Sequence, residues 1–168
     1  KKLRPLSKDL YKWQAQAIDA WRKAKNKSVI EAVTGTGKTF VGISLLHEYI
    51  QKQKRCLVIV PSIVLFHQWK EEIETELGFE LTSLLGAGHK DLDLTQPITL
   101  GVLKSVSTAA KNGELYNNFG LLIADECHRF ASKTHQLALL EDVSDRIGLT
   151  ATLERSDDGV DEILKPYF

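Results

Sequence analysis

The first chemistry the sequence offers lies at residues 32–39, AVTGTGKT. Gly37-Lys38-Thr39 closes a phosphate-loop pattern, with Ala32 standing where the first glycine usually stands. Gly35 and Gly37 let the backbone N–H groups of 34–38, those of Thr34 and Thr36 among them, turn inward around phosphate oxygens. A helix starting near Lys38 aims its positive end at the same anion. Lys38 then supplies a point charge for the β- and γ-phosphates, and the Thr39 hydroxyl can ligate Mg²⁺. The second candidate group is LLIADECH at 121–128, an apolar run ending in two carboxylates. Asp125 is placed to hold Mg²⁺ opposite Thr39, and Glu126 to orient and polarise an attacking water. Phosphoryl transfer leaves the protein mainly positioning and charge neutralisation, which these groups supply. Alone, the first segment is also readable as an incidental glycine-rich turn and the second as the start of a solvated loop. Together they point to ATP and Mg²⁺. Cys127 reads as a small side chain packed beside the strand end, and His128, taken alone, as a surface or capping histidine.

Both groups need strands that deliver them and helices that back them. Apolar residues at Leu10, Trp13, Ala17 and Trp21 have helical spacing over 10–25. Strands are expected at 28–32, 55–60, 81–86, 97–103, 120–125 and 145–151. Helices are expected at 38–53, 64–77, 105–111 and 134–143, with a last short one in DDGVDEILK. Strands alternating with helical crossovers imply an α/β fold, a mostly parallel, doubly wound sheet with helices on both faces. Ligands of such sheets sit beyond the carboxyl ends of the strands, so chemistry is expected just after 32, 60, 103, 124 and 149.

The 168 residues suit one domain, 1–168, with 43% hydrophobic and 26% charged residues, ordinary globular values that exclude a disordered or fibrous chain. Twenty-two basic residues balance 22 acidic ones, so overall charge favours neither nucleic acid nor an anionic membrane. Cys56 and Cys127 form no metal-binding spacing and suggest no disulfide framework. The most apolar run, LVIVPSIVLF at 57–66, is broken by Pro61 and far short of the ~20 residues a membrane helix needs. With no signal-peptide pattern at the N-terminus, an intracellular protein without a membrane partner is expected. The chain contains no Met, so it is expected to be part of a longer protein.

AVTGTGKT, IVPSIVLFHQW, DECH and GLTAT occur in the order of motifs I, Ia, II and III of superfamily 2 helicases and translocases. The resemblance spans nearly the whole chain, and DECH fits the DExH subgroup. PSIVLFHQW, LLGAGHK and GLTATLERSDDG resemble the branch of XPB-type DNA repair helicases and restriction-enzyme-like helicases. This implies a RecA-like P-loop domain. It assigns Gln14, in YKWQAQAI, to reading adenine, an edge its amide can match with a donor and an acceptor. It gives His128 a contact with motif III, and Thr150 and Thr152 the linkage of nucleotide state to the nucleic-acid side. Pro61, Ser62, Gln68, the turn with Gly86 and Gly88, and Ser105 fall in segments that approach a sugar-phosphate backbone in the family. Gln14 also reads as an exposed helix glutamine, and Thr150 and Thr152 as a plain strand end. Trp13, Trp21 and Trp69 read as core rather than base-stacking groups. Tyr11-Lys12 replace the usual Arg-Pro before Gln14, Val102-Leu103-Lys104 replace Thr-Tyr-Gln, and Ser156-Asp157-Asp158-Gly159 is one residue longer than usual.

The resemblance implies a motor that works with a second RecA-like domain, whose arginine finger no stretch of these residues matches. Such a finger is worth ~10³–10⁵ in rate, so the 168 residues alone are expected to bind ATP·Mg²⁺ weakly and hydrolyse it very slowly. DNA is the expected partner, with RNA an alternative. Two other readings stay open: a nucleic-acid-binding scaffold with a vestigial ATP site, and a P-loop enzyme acting on small molecules.

Overall fold

The structure, a computed structural model, describes residues 3–32, 37–90, 92–115, 119–130, 137–151 and 168. Six strands form one sheet: β1 (Lys27–Glu31), β2 (Arg55–Val60), β3 (Thr82–Leu85), β4 (Ile98–Val102), β5 (Phe119–Asp125) and β6 (Arg146–Thr150). Their order is β1-β6-β5-β2-β4-β3, and every neighbouring pair is parallel. The helices are α1 (Lys12–Lys23), α2 (Lys38–Gln51), α3 (Ile63–Glu76) and α4 (Leu103–Lys111). Each lies within a few residues of where periodicity places it.

The near-continuous apolar run of β2 makes sense because both sheet faces are covered. Successive side chains alternate faces: Cys56, Val58 and Val60 join one core, and Leu57 and Ile59 the other. The first core holds α1, α2 and α3 through Ile18, Trp21, Val41, Leu45, Phe66 and Trp69. The second holds α4 through Leu103, Val106 and Ala109, with Phe130 beside them. Ser62 caps α3, its hydroxyl accepting the Leu65 amide at 3.3 Å. Ahead of α1, residues 3–10 strap α2 and α3 together. The Arg4 amide donates to the Leu77 carbonyl at 2.8 Å, and the Ser7 hydroxyl to Glu76 at 2.7 Å.

One expected helix is absent over the part of its span that the structure describes. Of the span 134–143, the structure describes 137 onward, and there it holds only a three-residue 3₁₀ turn at Leu137–Leu139. Leu140 then turns through a positive φ of 26°. The cause is Arg146, whose buried guanidinium donates to the carbonyls of Leu139, Leu140 and Val143. Carbonyls held by one guanidinium are satisfied without an α-helical ladder. The short helix expected in 157–165 lies outside the described residues. No helix among the described residues is long and apolar enough to cross a membrane.

Candidate functional site

The carboxyl ends of the strands gather the candidate residues along one rim. Lys38 opens α2 and is buried, with only 8% of its surface exposed. Its Nζ donates to Asp125 Oδ1 at 2.8 Å and to Glu126 Oε1. Burial by itself would lower the Lys38 pKa, but the two carboxylates outweigh it and hold the ammonium above the ordinary lysine value. Asp125 closes β5 and is 1% exposed. Its Oδ1 also accepts the Glu126 amide at 2.9 Å, and its Oδ2 accepts the Trp69 indole N–H at 2.9 Å. Glu126 sits in the left-handed region at φ 48°, a conformation costing on the order of 1–3 kcal/mol for a non-glycine residue and held only by its surroundings.

Beyond Glu126 the contacts run across the sheet. His128 Nδ1 lies 3.6 Å from Glu126 Oε2 and 3.1 Å from the hydroxyl of Thr150, the buried last residue of β6. Cys127 is buried beside β6, where a Cβ on Gly148 would meet its Sγ at 2.8 Å. The β6 end in turn fixes the start of the phosphate-loop segment, since the Ala32 amide donates to the Thr150 carbonyl at 3.0 Å. Thr34, Gly35, Thr36 and Thr152 lie outside the described residues.

Gly37 precedes α2 with a φ of 90° and gives that helix no side-chain cap. The first-turn amides are thus offered no side-chain acceptor by the cap, as suits an anion site. Its carbonyl accepts Gln14 Nε2 at 2.8 Å, while Gln14 Oε1 accepts the Tyr11 amide at 2.7 Å. Gln14 is 1% exposed, so the exposed-helix alternative is wrong. Its amide braces the start of α1 against the end of the phosphate-loop segment, and these bonds use one amide proton and one oxygen lone pair.

Thr39 is half-buried and borders a cleft of about 330 Å³ shared with Phe40, Gln68, Glu71, Glu72 and Glu76. Lys8 reaches over the Phe40 ring, its Nζ 4.5 Å from the centroid. Partial burial pushes the Glu72 carboxyl up; Lys8 opposes the rise, and Glu76, Asp125 and Glu71 add to it. An acidic cleft of this kind repels a bare polyphosphate and favours one whose charge a cation has reduced.

The residues assigned to nucleic acid are not brought into one place. Pro61 and Ser62 stand at the head of α3, whereas Gln68 faces the cleft beside Thr39. Gly86, at φ 100°, packs on the head of α4, where an added Cβ would lie 2.8 Å from Ser105 Oγ. Gly86 and Ser105 share a second cleft, of about 390 Å³, with His89, Lys90 and Lys104. Gly88 is exposed and borders a third hollow, beside Thr82, Ser83 and Asp93.

The donor set fits Mg²⁺ with a nucleotide. A hydroxyl at Thr39 and a carboxylate at Asp125 are hard oxygen ligands, and Mg²⁺ takes few protein ligands, completing its shell with phosphate and water. No group of three or more His, Cys, Asp and Glu among the described residues could hold a metal ion by itself.

Trp69 is the site residue that sequence reading missed. As expected, Trp21 and Trp69 are buried and Trp13 packs against the core. The Trp69 indole nevertheless reaches Asp125. The available signal was chemical, because a buried indole N–H must find an acceptor. Periodicity does not say which one.

The family model for the type III restriction enzyme res subunit matches residues 7–155. The DNA 3'-5' translocase XPB2 of Sulfurisphaera tokodaii is 40% identical over 163 residues, covering 95% of this chain and 35% of the relative. The DNA 3'-5' helicase XPB of Kineococcus radiotolerans is 26% identical over 153 residues, covering 86% of this chain and 26% of the relative. Among solved structures, the UvsW helicase from bacteriophage T4 superposes with a TM-score of 0.77 at 17% identity, covering 99% of this chain and 61% of that one. The SWI2/SNF2 ATPase core of Sulfolobus solfataricus, in complex with dsDNA, gives 0.73 at 19% identity, covering 99% and 38%. The chain spans about a third or less of the length of these curated relatives.

Proposed function

The chain belongs to the family of the type III restriction enzyme res subunit, as an XPB-like RecA-like domain of superfamily 2, and on that premise we propose that residues 1–168 form the ATP-binding first motor domain of an ATP-driven DNA helicase or translocase. The observation that carries this reading is the convergence of Lys38, Asp125 and Glu126 in one hydrogen-bonded group at the head of α2 and the end of β5. In the proposal, Lys38 exchanges its carboxylate partners for the β- and γ-phosphate oxygens of ATP. That exchange would release Asp125 Oδ1 from Lys38, leaving it the Glu126 amide, and would free Glu126 Oε1. Asp125 and Thr39 would be the residues to hold Mg²⁺, which would supply neutralisation of phosphate charge there. Glu126 orients the attacking water and accepts its proton. Gln14 holds Gly37 in place and offers its remaining amide capacity to adenine. Thr34, Gly35 and Thr36 contribute their amides to the phosphates, and Thr150 and Thr152, with His128, link the site to the nucleic-acid side.

DNA is bound through its backbone, by Pro61 and Ser62 at the head of α3 and by the cleft of Gly86, Ser105, Lys90 and Lys104, with Gly88 on the adjoining hollow and Gln68 on the separate cleft beside Thr39. Such contacts are sequence-independent and weaken as salt rises. A second RecA-like domain in the same protein supplies an arginine finger; ATP closes the two domains, and hydrolysis reopens them inside the cell. The 168 residues alone would hydrolyse ATP very slowly.

The test is the ATPase rate of the full-length protein with single-stranded DNA, duplex DNA and RNA compared side by side. DNA is expected to stimulate it, and Lys38→Ala and Glu126→Gln each to lower the stimulated rate at least a hundredfold. Full activity in either variant would refute the roles assigned to them. Turnover indifferent to nucleic acid would favour the small-molecule alternative.

A further inference from the structure

Trp69 lies on α3, the helix that follows Pro61-Ser62, and its ring runs under α2 to the end of β5. Gly42 in α2 is what lets it pass. A Cβ there would sit 2.5 Å from Trp69 Cη2 and 3.3 Å from Cζ3. A glycine inside a helix costs about 1 kcal/mol relative to alanine, so the space it opens for the ring has a physical return. The ring is 1% exposed, and packing alone could be served by any bicyclic ring of that shape. What the indole adds is one N–H, spent on Asp125 Oδ2 at 2.9 Å. With Oδ2 held by Trp69 and Oδ1 taking the Lys38 ammonium and the Glu126 amide, the plane of the carboxylate is fixed from both sides.

We propose that Trp69 is the positioning residue of the metal-binding carboxylate: its indole N–H anchors Asp125 Oδ2 so that Oδ1 faces Lys38 and the Thr39 side of the site. The inference rests on the Mg²⁺ role given to Asp125 above. Hydrogen bonds to the outer oxygen of a ligating carboxylate orient it, and losing one commonly costs 10–100-fold in metal affinity. Because the anchor sits on α3, it also joins the segment assigned to the DNA backbone to Asp125. Trp69 itself touches neither phosphate nor DNA in this picture.

The experiment uses the full-length protein and calorimetric titration with ADP, in EDTA and across a series of Mg²⁺ concentrations. Trp69→Phe keeps most of the ring and deletes the N–H. A second variant carrying β-(3-benzothienyl)alanine at position 69 keeps the bicyclic shape and replaces N–H by sulfur, so a packing loss in the first variant cannot imitate the effect. Both are expected to bind ADP in EDTA as the wild type does, and to need about 10–100-fold more Mg²⁺ for the Mg²⁺-dependent gain in affinity. Their nucleotide-free DNA affinity should be unchanged. An unaltered Mg²⁺ requirement in the benzothienyl variant, with a normal gain in the wild type, would overturn the role of Trp69 and leave the nucleotide site standing. A wild type that gains nothing from Mg²⁺ would overturn both.

Discussion

At the scale of single residues, the site is built from groups that would be unfavourable anywhere else. Glu126 occupies a left-handed conformation, Lys38 is buried, and Gly37 turns at φ 90° against the Gln14 amide. Each is held by a specific partner, which is how strained or desolvated groups persist at sites that need pre-organisation. Gly37→Ala shows how narrow the tolerance is, since the new Cβ would lie 2.7 Å from Gln14 Nε2. The variant is expected to lose about 1 kcal/mol of stability or more, because alanine is disfavoured at positive φ. It should also weaken Mg·nucleotide binding at least tenfold, as the Gln14 amide must shift from the Gly37 carbonyl at the head of α2. Chemical denaturation and nucleotide titration of the same preparation check both. Of these three residues, the sequence named Lys38, Glu126 and Gly37 through type and spacing. The bond from Gly37 to Gln14 was not legible, because it joins residues 23 positions apart across two elements.

At the scale of elements, the fold is a set of short segments clasped by contacts that local pattern does not contain. Strands and helices were readable because apolar spacing alone decides them when both sheet faces are covered. The helix expected at 134–143 is absent from 137 onward for the opposite reason. A buried arginine in the following strand redirects the carbonyls of 139–143, and no local propensity reports it. The union of α1 with α2 is similar: the Arg22 guanidinium pairs with Glu48 across the two helices. The hydrogen bond from Arg22 holds the Glu48 carboxyl below its usual value; partial burial opposes this, and Lys52 adds to it. A lowered folded pKa means the pair stabilises above the ordinary glutamate value of 4.5 and that this is lost as pH falls through the folded value. The pair is partly exposed, so Glu48→Gln is expected to cost only about 0.5 kcal/mol at pH 7. Urea midpoints should converge with the wild type as pH falls through the lowered folded value of Glu48. A difference that persists in acid would mean that Glu48 acts through packing.

At the scale of the whole molecule, charge and topology tell different stories. The total is balanced, 22 against 22, yet the clefts differ in sign. The cleft beside Thr39 gathers Glu71, Glu72 and Glu76 against Lys8, whereas the cleft at the head of α4 gathers Lys90 and Lys104, with His89, against Glu114. If the second cleft carries DNA backbone, Lys104→Ala should weaken binding of the full-length protein about equally for all sequences. It should also lower the slope of log K against log salt by about 0.9, the release of one counterion. Fluorescence anisotropy with two unrelated duplexes at several salt concentrations measures it. An unchanged slope would remove Lys104 from the path.

By itself, the sequence determined the strand and helix alternation, the parallel sheet, and the phosphate-binding and carboxylate groups at its strand ends. These follow from spacing and residue type, which act over a few neighbouring positions. The His128 contact with Thr150 was expected from the resemblance, but only the tertiary structure decided the other partners of those groups: Trp69 on Asp125, Gln14 on Gly37 and Arg146 on the carbonyls of 139–143. A buried donor must find an acceptor, and that requirement can be read from one residue. Which acceptor it finds depends on how the chain brings distant residues together, and parallel strand order, not sequence distance, sets that.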